Sequence, residues 1–202
     1  MSATDRIKWD ERYRAGSYAG REHPTQLLAE WEPRLPRGRA LDVACGAGRN
    51  SLFLAGTGRQ VDAVDISPAG LERARQSAAP RGLEIRWIEA DLEEGAGEAL
   101  PAGPYDLIVL VRYVNRKLLP HLLVRLDCGG VLLCEQHLDC THEVVGPKTP
   151  AYRMRHNELL RDVMNVARPG HRVLYYREGL VTDPDERRAA LSQLILQESS
   201  TA

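Results

Sequence analysis

The stretch Ala40-Leu41-Asp42-Val43-Ala44-Cys45-Gly46-Ala47-Gly48-Arg49-Asn50, "ALDVACGAGRN", decides the fold because it joins an apolar strand pattern to a helical pattern through glycines. Gly46 and Gly48 stand one residue apart, directly after the apolar run. Glycine at such a turn lets the backbone bend sharply and approach a ligand without a Cβ in the way. The stretch therefore predicts the first strand, turn and helix of a ligand-binding α/β sheet.

Strand and helix patterns alternate on the C-terminal side of this stretch. Predicted strands are "QVDAVDI" (60–66), "LEIRWIEA" (83–90), "YDLIVLV" (105–111) and "GGVLLCEQH" (129–137), and "RKLLPHLLVRL" (116–126) predicts a helix kinked at Pro120. Alternation of this kind predicts right-handed βαβ crossovers and a mostly parallel, doubly wound Rossmann-like sheet with helices on both faces. The segments 171–179 and 188–198 predict a C-terminal antiparallel hairpin at its edge.

Composition and charge narrow the range of partners. The 202 residues include 27 basic and 28 acidic side chains with interspersed signs, a balance that gives no electrostatic footprint for nucleic acid or an anionic membrane. No stretch has the pattern of a signal peptide or a membrane span, so four cysteines indicate reduced thiols and a cytoplasmic protein. We expect a small-molecule partner, and either a monomer or a homodimer.

The residues around the glycine turn discriminate between two kinds of nucleotide ligand. Asp65 ends the second strand, 19 residues after Gly46 (65 − 46), where a carboxylate can accept ribose hydroxyl hydrogens. A dinucleotide site expects a third glycine where Ser51 stands, and Asp42 would repel a pyrophosphate. S-adenosylmethionine carries an ammonium, a sulfonium and no phosphate, so the pattern favours it. A nicotinamide dinucleotide, or a glycine turn that binds nothing, stays open.

The segment "EADL" (89–92) places two further candidates just past the third strand. Asp91 can accept a hydrogen bond from the exocyclic amine of adenine, and Leu92 can donate its backbone amide to the ring. The alternative interpretation is that Asp91 is a surface acid in an acidic loop.

Six segments resemble the class I S-adenosylmethionine-dependent methyltransferases, and within them the branch of the tellurite-resistance methyltransferases, with thiopurine methyltransferases as more distant relatives. These segments are "WDERY" (9–13), "ALDVACGAGRNSLFLA" (40–55), "VDAVDIS" (61–67), "EADL" (89–92), "YDLIVLVRYVNR" (105–116) and "GGVLLCEQH" (129–137). The resemblance implies a lid at residues 1–36 that forms one compact unit with a methyltransferase domain at 37–202.

The resemblance also implies roles for matching residues around the cofactor. The methionine part would lie against Asp42, Ala44, Gly46 and Gly48, and Asn50 is a further cofactor-binding candidate. Asp65 and Ile66 would hold the ribose and adenine, Asp91 and Leu92 the adenine, and Leu110, Val111 and Arg112 would lie near the sulfonium. In the lid, Trp9, Arg12 and Tyr13 would close over the cofactor, although ordinary packing of an N-terminal helix explains them equally well.

The acceptor side offers four candidate catalytic residues, namely Arg112, Tyr113, Glu135 and His137. An arginine at the cleft suits an anionic acceptor, which needs no general base. The segment after the fourth strand, "LVRYVNR" (110–116), lacks the "[DN]-P-P-[YF]" signature, which argues against methylation of an adenine amine or a glutamine amide. The predicted hairpin segment 177–192 contains no histidine, so it offers no imidazole base.

A cysteine and histidine group in "CEQHLDCTH" raises the question of a metal. Cys134, His137, Cys140 and His142 are possible ligands, but their spacing is irregular for a structural zinc site. Residues 134 and 137 would also point to opposite faces of a strand. We therefore predict no metal and treat Cys134 as a small core residue.

The sequence thus predicts an S-adenosylmethionine-dependent methyltransferase with S-adenosylhomocysteine as product. Its acceptor would be a small molecule, a metalloid oxyanion such as tellurite, or a thiol, methylated by in-line transfer. A non-catalytic S-adenosylmethionine-binding module and an NAD(P)-dependent oxidoreductase remain the alternatives.

Overall fold

A computed structural model describes residues 3–93, 95 and 97–199 of the chain. Its centre is one seven-stranded sheet with the strand order β3-β2-β1-β4-β5-β7-β6. The strands are β1 (Arg39–Val43), β2 (Gln60–Asp65), β3 (Ile85–Glu89), β4 (Tyr105–Val111), β5 (Leu126–His137), β6 (His171–Thr182) and β7 (Arg188–Glu198). β1 to β5 pair in parallel, and β7 runs antiparallel to both β5 and β6. This arrangement confirms the predicted fold, including the C-terminal hairpin.

Six α-helices connect or flank these strands. They are α1 (Ala3–Arg14), α2 (Gln26–Trp31), α3 (Arg49–Gly56), α4 (Pro68–Ala78), α5 (Leu119–Leu123) and α6 (Glu158–Val166). Helix α4 begins with Ser67 as its N-cap: the Ser67 hydroxyl accepts from the amide of Gly70, and Pro68 lies in the first turn. Within the described residues, none of the helices is long and apolar enough to cross a membrane.

The segment around Pro120 differs from its prediction. Instead of one kinked helix, a 3₁₀ turn at Arg116–Leu118 leads into α5, and Pro120 lies in the first turn of that helix. In the first turn of a helix the backbone nitrogen has no hydrogen-bond partner within the helix, so a proline there costs no hydrogen bond. The helix therefore starts at this position and is not kinked by the proline. β5 then starts at Leu126, which makes the end of this segment a strand.

Apolar side chains cover both faces of the sheet. Leu41 and Ile108 belong to one core, beneath α5 and α6, whereas Ala40 and Leu107 belong to the core on the opposite face, beneath α2. Successive residues of a strand point to opposite faces, and a parallel sheet with helices on both sides buries each face. The apolar runs that the sequence contains follow from this double burial.

Strand register brings the candidate residues to one edge of the sheet. Val43 at the end of β1 lies opposite Val64 of β2 and opposite Leu110 of β4. The turn after β1 is therefore level with Asp65 and with Val111. β4 lies beside β1 on the side opposite β2, so strand order reverses here, the position at which open α/β sheets bind ligands.

Candidate functional site

A cavity lies at the carboxyl ends of β1, β2 and β4, beneath α1 and the segment that follows it. It encloses about 870 Å³ of empty space, part of which is open to solvent. Ten of the predicted residues line it: Trp9, Tyr13, Ala44, Gly46, Asn50, Asp65, Ile66, Val111, Arg112 and Tyr113. Five further lining residues were not predicted: Tyr18, Arg21, Cys45, Ala47 and Arg49.

The glycine turn and the end of β2 are joined through one carboxylate. Asp65 Oδ2 accepts a 2.8 Å hydrogen bond from the amide of Gly46, and Oδ1 accepts a 2.9 Å bond from the amide of Ser67. Burial raises the pKa of Asp65, and these amide hydrogen bonds oppose that rise. Each oxygen keeps capacity for a further donor, so the carboxylate can hold the turn and still accept from a ligand.

A side chain would meet different neighbours at the two glycines of the turn. Both have left-handed backbones, with φ values of 57° at Gly46 and 79° at Gly48. A Cβ on Gly48 would lie 2.8 Å from Cβ of Ala74 and 2.9 Å from the Trp87 ring, so close packing of α3 against α4 and β3 requires glycine. A Cβ on Gly46 would instead collide with the hydroxyl of Tyr13 in the cavity.

Asp42 lies behind the turn and does not line the cavity. Its side chain is buried and accepts a hydrogen bond from the hydroxyl of Ser51 in α3. Burial raises the pKa of Asp42 to about 7, with the hydrogen bond from Ser51 opposing the rise. Asp42 therefore ties the first turn of α3 to β1, rather than touching a ligand in the cavity directly.

Helix α1 is fastened over the cavity by polar contacts to α4. Asp10 accepts from the hydroxyl of Ser67 and, at 3.2 Å, from the amide of Ala69. At the other end of α1, a guanidinium nitrogen of Arg73 donates to the carbonyl of Tyr13 at 3.2 Å. Asp10 is a residue that the sequence reasoning missed. It stands three positions before Tyr13 on an otherwise polar helix, and only the tertiary contact distinguishes it.

Three aromatic rings form a roof over the cavity, which we call the aromatic roof: Trp9, Tyr13 and Tyr18. The Trp9 and Tyr13 rings are stacked with centroids 6.2 Å apart, and Tyr18 lies 6.1 Å from Tyr13. Arg12 is exposed and places its guanidinium 5.0 Å from the centre of the Trp9 ring. Arg12 therefore lies on the outer side of the roof, away from the cavity wall.

A buried polar network surrounds Arg112 at the end of β4. Its guanidinium donates from Nε to Glu135 at 3.2 Å and from Nη2 to Asp183 at 2.7 Å. Glu135 is fully buried and also accepts from the hydroxyl of Thr25 at 2.6 Å and from Nε2 of Gln193 at 2.8 Å. Burial disfavours the charged arginine, but the contacts to Asp183 and Glu135 outweigh it and raise the Arg112 pKa.

Asp183 was not predicted, because it comes from the far end of the chain. It follows β6 in the connection to β7, and its carboxylate lies against Arg112 only because the hairpin packs beside β5. Thr25 reaches the network from the opposite side, and its amide donates to Asn50 at 3.0 Å. The predicted residue Glu135 therefore holds other residues and does not itself line the cavity.

The remaining acceptor-side candidates do not supply a strong base. Tyr113 lines the cavity and donates to Glu93 at 3.0 Å, and burial raises its pKa. His137 lies outside the cavity wall. Burial, together with the charges of Arg112 and Arg153, lowers the His137 pKa to about 3, so the ring is neutral and weakly basic.

Leu110, Leu92 and Asp91, which the resemblance assigns to the cofactor, are not among the residues that line the cavity. Leu110 and Leu92 are buried in the core. The carbonyl of Leu92 accepts from Nδ2 of Asn115 at 3.0 Å, and Oδ1 of Asp91 accepts from the amide of Glu93 at 2.8 Å. Asp91 thus shapes the loop after β3, and a direct contact of this loop with adenine stays a prediction.

The cysteine and histidine group is spread apart by the fold. Cys134 is buried in the core, whereas Cys140 and His142 border a separate open depression. No group of three or more His, Cys, Asp or Glu side chains in residues 3–93, 95 and 97–199 is placed to hold a metal ion.

The strand order and the cavity at the glycine turn are those of a class I methyltransferase fold. Residues 40–127 match the family model described as a methyltransferase domain. Both findings agree with the fold and the class that the sequence predicts.

Solved structures similar to this chain share its fold. A structure described as "Conversion of a Disulfide Bond into a Thioacetal Group during Echinomycin Biosynthesis" is 20% identical with a TM-score of 0.73, covering 98% of this chain and 94% of that one. TehB from Haemophilus influenzae is 19% identical with a TM-score of 0.67, covering 96% of this chain and 67% of TehB.

Curated relatives match over shorter segments. An uncharacterized protein of Mycobacterium tuberculosis is 44% identical over 73 residues, which are 35% of this chain and 25% of that protein. Other matches include a ubiquinone biosynthesis O-methyltransferase from Caulobacter sp. and a release factor glutamine methyltransferase from Deinococcus radiodurans. The matched segments thus cover 25% to 36% of these relatives' length.

Proposed function

We propose that this protein transfers a methyl group from S-adenosylmethionine to a small acceptor. The observation that supports this most strongly is the buried Asp65 carboxylate, which lines a cavity between a glycine turn and the aromatic roof. The match of residues 40–127 to a methyltransferase domain supports the same reaction class.

The residues present fit S-adenosylmethionine better than a dinucleotide. Asp65 retains acceptor capacity for ribose hydroxyls. At the position of the third glycine of a dinucleotide site stands Ser51, whose hydroxyl is held by Asp42. The Asp42 carboxyl group therefore lies directly behind the turn against which a pyrophosphate would bind. Its negative charge, when ionised, would repel the two phosphates.

Methyl transfer requires mainly that the acceptor is aligned with the methyl group and that water is excluded. When bound, S-adenosylmethionine supplies a methyl group activated by a positive sulfur. The aromatic roof covers the cavity from the solvent side, and the glycine turn and the end of β4 form its floor. Correct alignment of two reactants can lower a barrier by about 7–11 kcal/mol in favourable systems.

An acceptor that is already an anion suits this site. Among the described lining residues, Tyr113 has a raised pKa, and His137 lies outside the wall with a pKa of about 3. Neither is a good proton acceptor near neutral pH. A thiolate or an oxyanion needs no base, which supports a thiol or a metalloid oxyanion as acceptor. The names of the curated relatives span unlike acceptors, so they do not choose among these.

Residues 1–36 act in this proposal as a lid, and residues 37–202 as the catalytic domain beneath it. The contacts of Asp10 to Ser67 and Ala69 support a lid that is fastened to α4. We also propose a cytoplasmic location, because all four cysteines are free thiols. The near-neutral charge supports a small acceptor rather than a nucleic acid.

The absence of a strong base at the described part of the site also favours one rival, a module that binds S-adenosylmethionine without transferring its methyl group. A thermal-shift comparison with S-adenosylmethionine, S-adenosylhomocysteine and NAD tests the cofactor. Turnover assays with a thiol, sodium selenite and an amine then test transfer. Methylated product from a thiol or oxyanion is expected. Tight cofactor binding without any product would favour the binding module, and stabilisation by NAD alone would refute the proposal.

A further inference from the structure

Arg49 is a half-buried arginine that has no hydrogen-bond partner among the described residues. It occupies the first position of α3, directly after Gly48, and lines the cavity. Among the residues that the structure describes, none accepts a hydrogen bond from its guanidinium. The contrast with Arg59 is clear, since that buried guanidinium donates to Glu32 and to backbone carbonyls. Because Arg49 lines the cavity, its guanidinium donors are available to an acceptor that a ligand supplies.

Arg112 also has a guanidinium nitrogen without a hydrogen-bond partner among the described residues. Its Nε and Nη2 are bonded to Glu135 and Asp183, but Nη1 is buried and has no partner in the described part of the chain. The residue also has a left-handed backbone, with φ of 58°, held by a 2.6 Å bond from its amide to the carbonyl of Glu135. Strain of this kind is found where a side chain must be held in one direction.

The two arginines lie close to each other. Both side chains line the same cavity, Arg49 from the start of α3 and Arg112 from the end of β4. The charges that act on Arg49 include those of Arg112, Glu135, Asp183 and Arg21. Two like charges held together without a shared acceptor are unfavourable, so burial and the charge of Arg112 both lower the pKa of Arg49.

We propose that Arg49 and Nη1 of Arg112 form an anion-binding subsite in the cavity. The inference rests on the proposed function, because the anion is then either the carboxylate of S-adenosylmethionine or an oxyanion presented as acceptor. Both ligands offer oxygens that accept from guanidinium groups. Asp183 is a positioning residue in this proposal, since it fixes the direction of the Arg112 guanidinium without lining the cavity.

The net charge of the cluster sharpens the expectation. Three arginines line the cavity, and the carboxylates paired with Arg21 and Arg112 also number three, so the formal charges cancel: Arg21, Arg49 and Arg112 against Glu135, Asp183 and Asp185. Affinity for an anion should then come from the unpaired donors rather than from a general positive potential. Anion affinity should consequently depend on the directed N–H groups of the guanidinium. Arg49→Lys keeps the positive charge but not the planar set of donors, so it should retain only part of that affinity.

The test uses Arg49→Gln in the full chain and three probes measured by titration calorimetry. S-adenosylhomocysteine carries a carboxylate, 5′-methylthioadenosine lacks the amino-acid part, and sodium selenite is added to protein saturated with S-adenosylhomocysteine. If the subsite holds the cofactor, Arg49→Gln lowers affinity for S-adenosylhomocysteine about tenfold or more and leaves 5′-methylthioadenosine unchanged. If it holds the acceptor, the loss falls on selenite. Wild-type affinity for all three probes would overturn the proposal.

Three further variants control for structure. Arg172→Gln removes an exposed positive charge on β6 and should change no affinity. Arg49→Lys should recover part of the binding. Asp183→Asn should weaken the same probe as Arg49→Gln and spare the others; an equal loss for every probe would overturn its positioning role. Arg49→Gln breaks no side-chain hydrogen bond of the described structure, so the melting temperature of the variant without ligand should not fall.

The design separates this proposal from the proposed function. If the wild-type protein binds neither adenosine ligand, the proposed function fails. The selenite titration of the unliganded protein still tests the two arginines in that case, and loss of selenite binding in Arg49→Gln would support the subsite on its own.

Discussion

The amide of Gly46 donates a 2.8 Å hydrogen bond to the carboxylate of Asp65. This bond joins the turn after β1 to the end of β2, which are 19 residues apart in the sequence (65 − 46). The carboxylate also accepts from the amide of Ser67, so it organises the start of α4. One side chain thus shapes the turn and lines the cavity.

Replacement of Asp65 by asparagine should separate ligand binding from turn formation. An amide oxygen can keep one of the two backbone donors, whereas alanine would leave both Gly46 and Ser67 without an acceptor. We expect Asp65→Asn to fold but to bind S-adenosylhomocysteine at least about tenfold more weakly, because a charge-assisted contact to ribose is lost. Calorimetry measures the affinity. Unchanged affinity in the folded variant would refute the ribose assignment.

Replacement of Gly46 by alanine should displace the aromatic roof. The new Cβ would collide with the Tyr13 hydroxyl, in addition to adopting a left-handed φ of 57°. We expect the affinity for S-adenosylhomocysteine to fall about tenfold or more. Gly82→Ala is a matched control, because Gly82 has φ of 62° and open space around its Cβ position. The control should lose about 1 kcal/mol of stability from backbone strain and no affinity. Equal affinities of the two variants would contradict the roof contact.

Removal of Asp10 should release the lid. Asp10→Ala leaves the Ser67 hydroxyl and the Ala69 amide without their acceptor, so α1 should detach more often from α4. We expect faster tryptic cleavage after Arg14 and Arg21 and weaker cofactor binding. Glu11→Ala, an exposed change on the same helix, is the control. If both variants are cleaved at the wild-type rate, Asp10 does not fasten the lid.

The buried Asp42 should make stability depend on pH. Its folded-state pKa is raised by burial from 3.8 to about 7, so the folded protein binds a proton that the unfolded chain has already lost. The contribution is complete below pH 3.8 and is lost as pH rises towards 7. Asp42→Asn, which can still accept from Ser51, should remove this part of the dependence. Against that variant, wild-type stability should fall by up to about 4 kcal/mol from pH 4 to pH 7.5, at 1.36 kcal/mol per pH unit. Parallel stability curves from urea denaturation would contradict the shifted pKa.

The fold and the cavity floor followed from local sequence patterns. Strand runs, the glycine turn and Asp65 each carry their signal within a few residues, and register then brings them together. The position of Asp42 was less predictable, since one buried hydrogen bond to Ser51 turns it away from the cavity. The sequence shows an acid near a glycine turn, but it does not show which face of β1 the acid occupies relative to α3.

The acceptor side could not be predicted in the same way. Asp183 lies 71 residues after Arg112, and Thr25 lies 110 residues before Glu135, so their contacts depend on packing of the terminal hairpin and the N-terminal segment against β4 and β5. Arg49 was overlooked because an arginine beside a glycine turn has no distinctive pattern. Only its lack of a partner in the described structure marks it.

The most direct test of the central claim is a calorimetric titration of the full chain with S-adenosylhomocysteine, repeated with NAD. A cavity built for a positively charged sulfur nucleoside predicts one S-adenosylhomocysteine bound per chain and no measurable heat with NAD. Saturable NAD binding in the absence of any S-adenosylhomocysteine binding would contradict it.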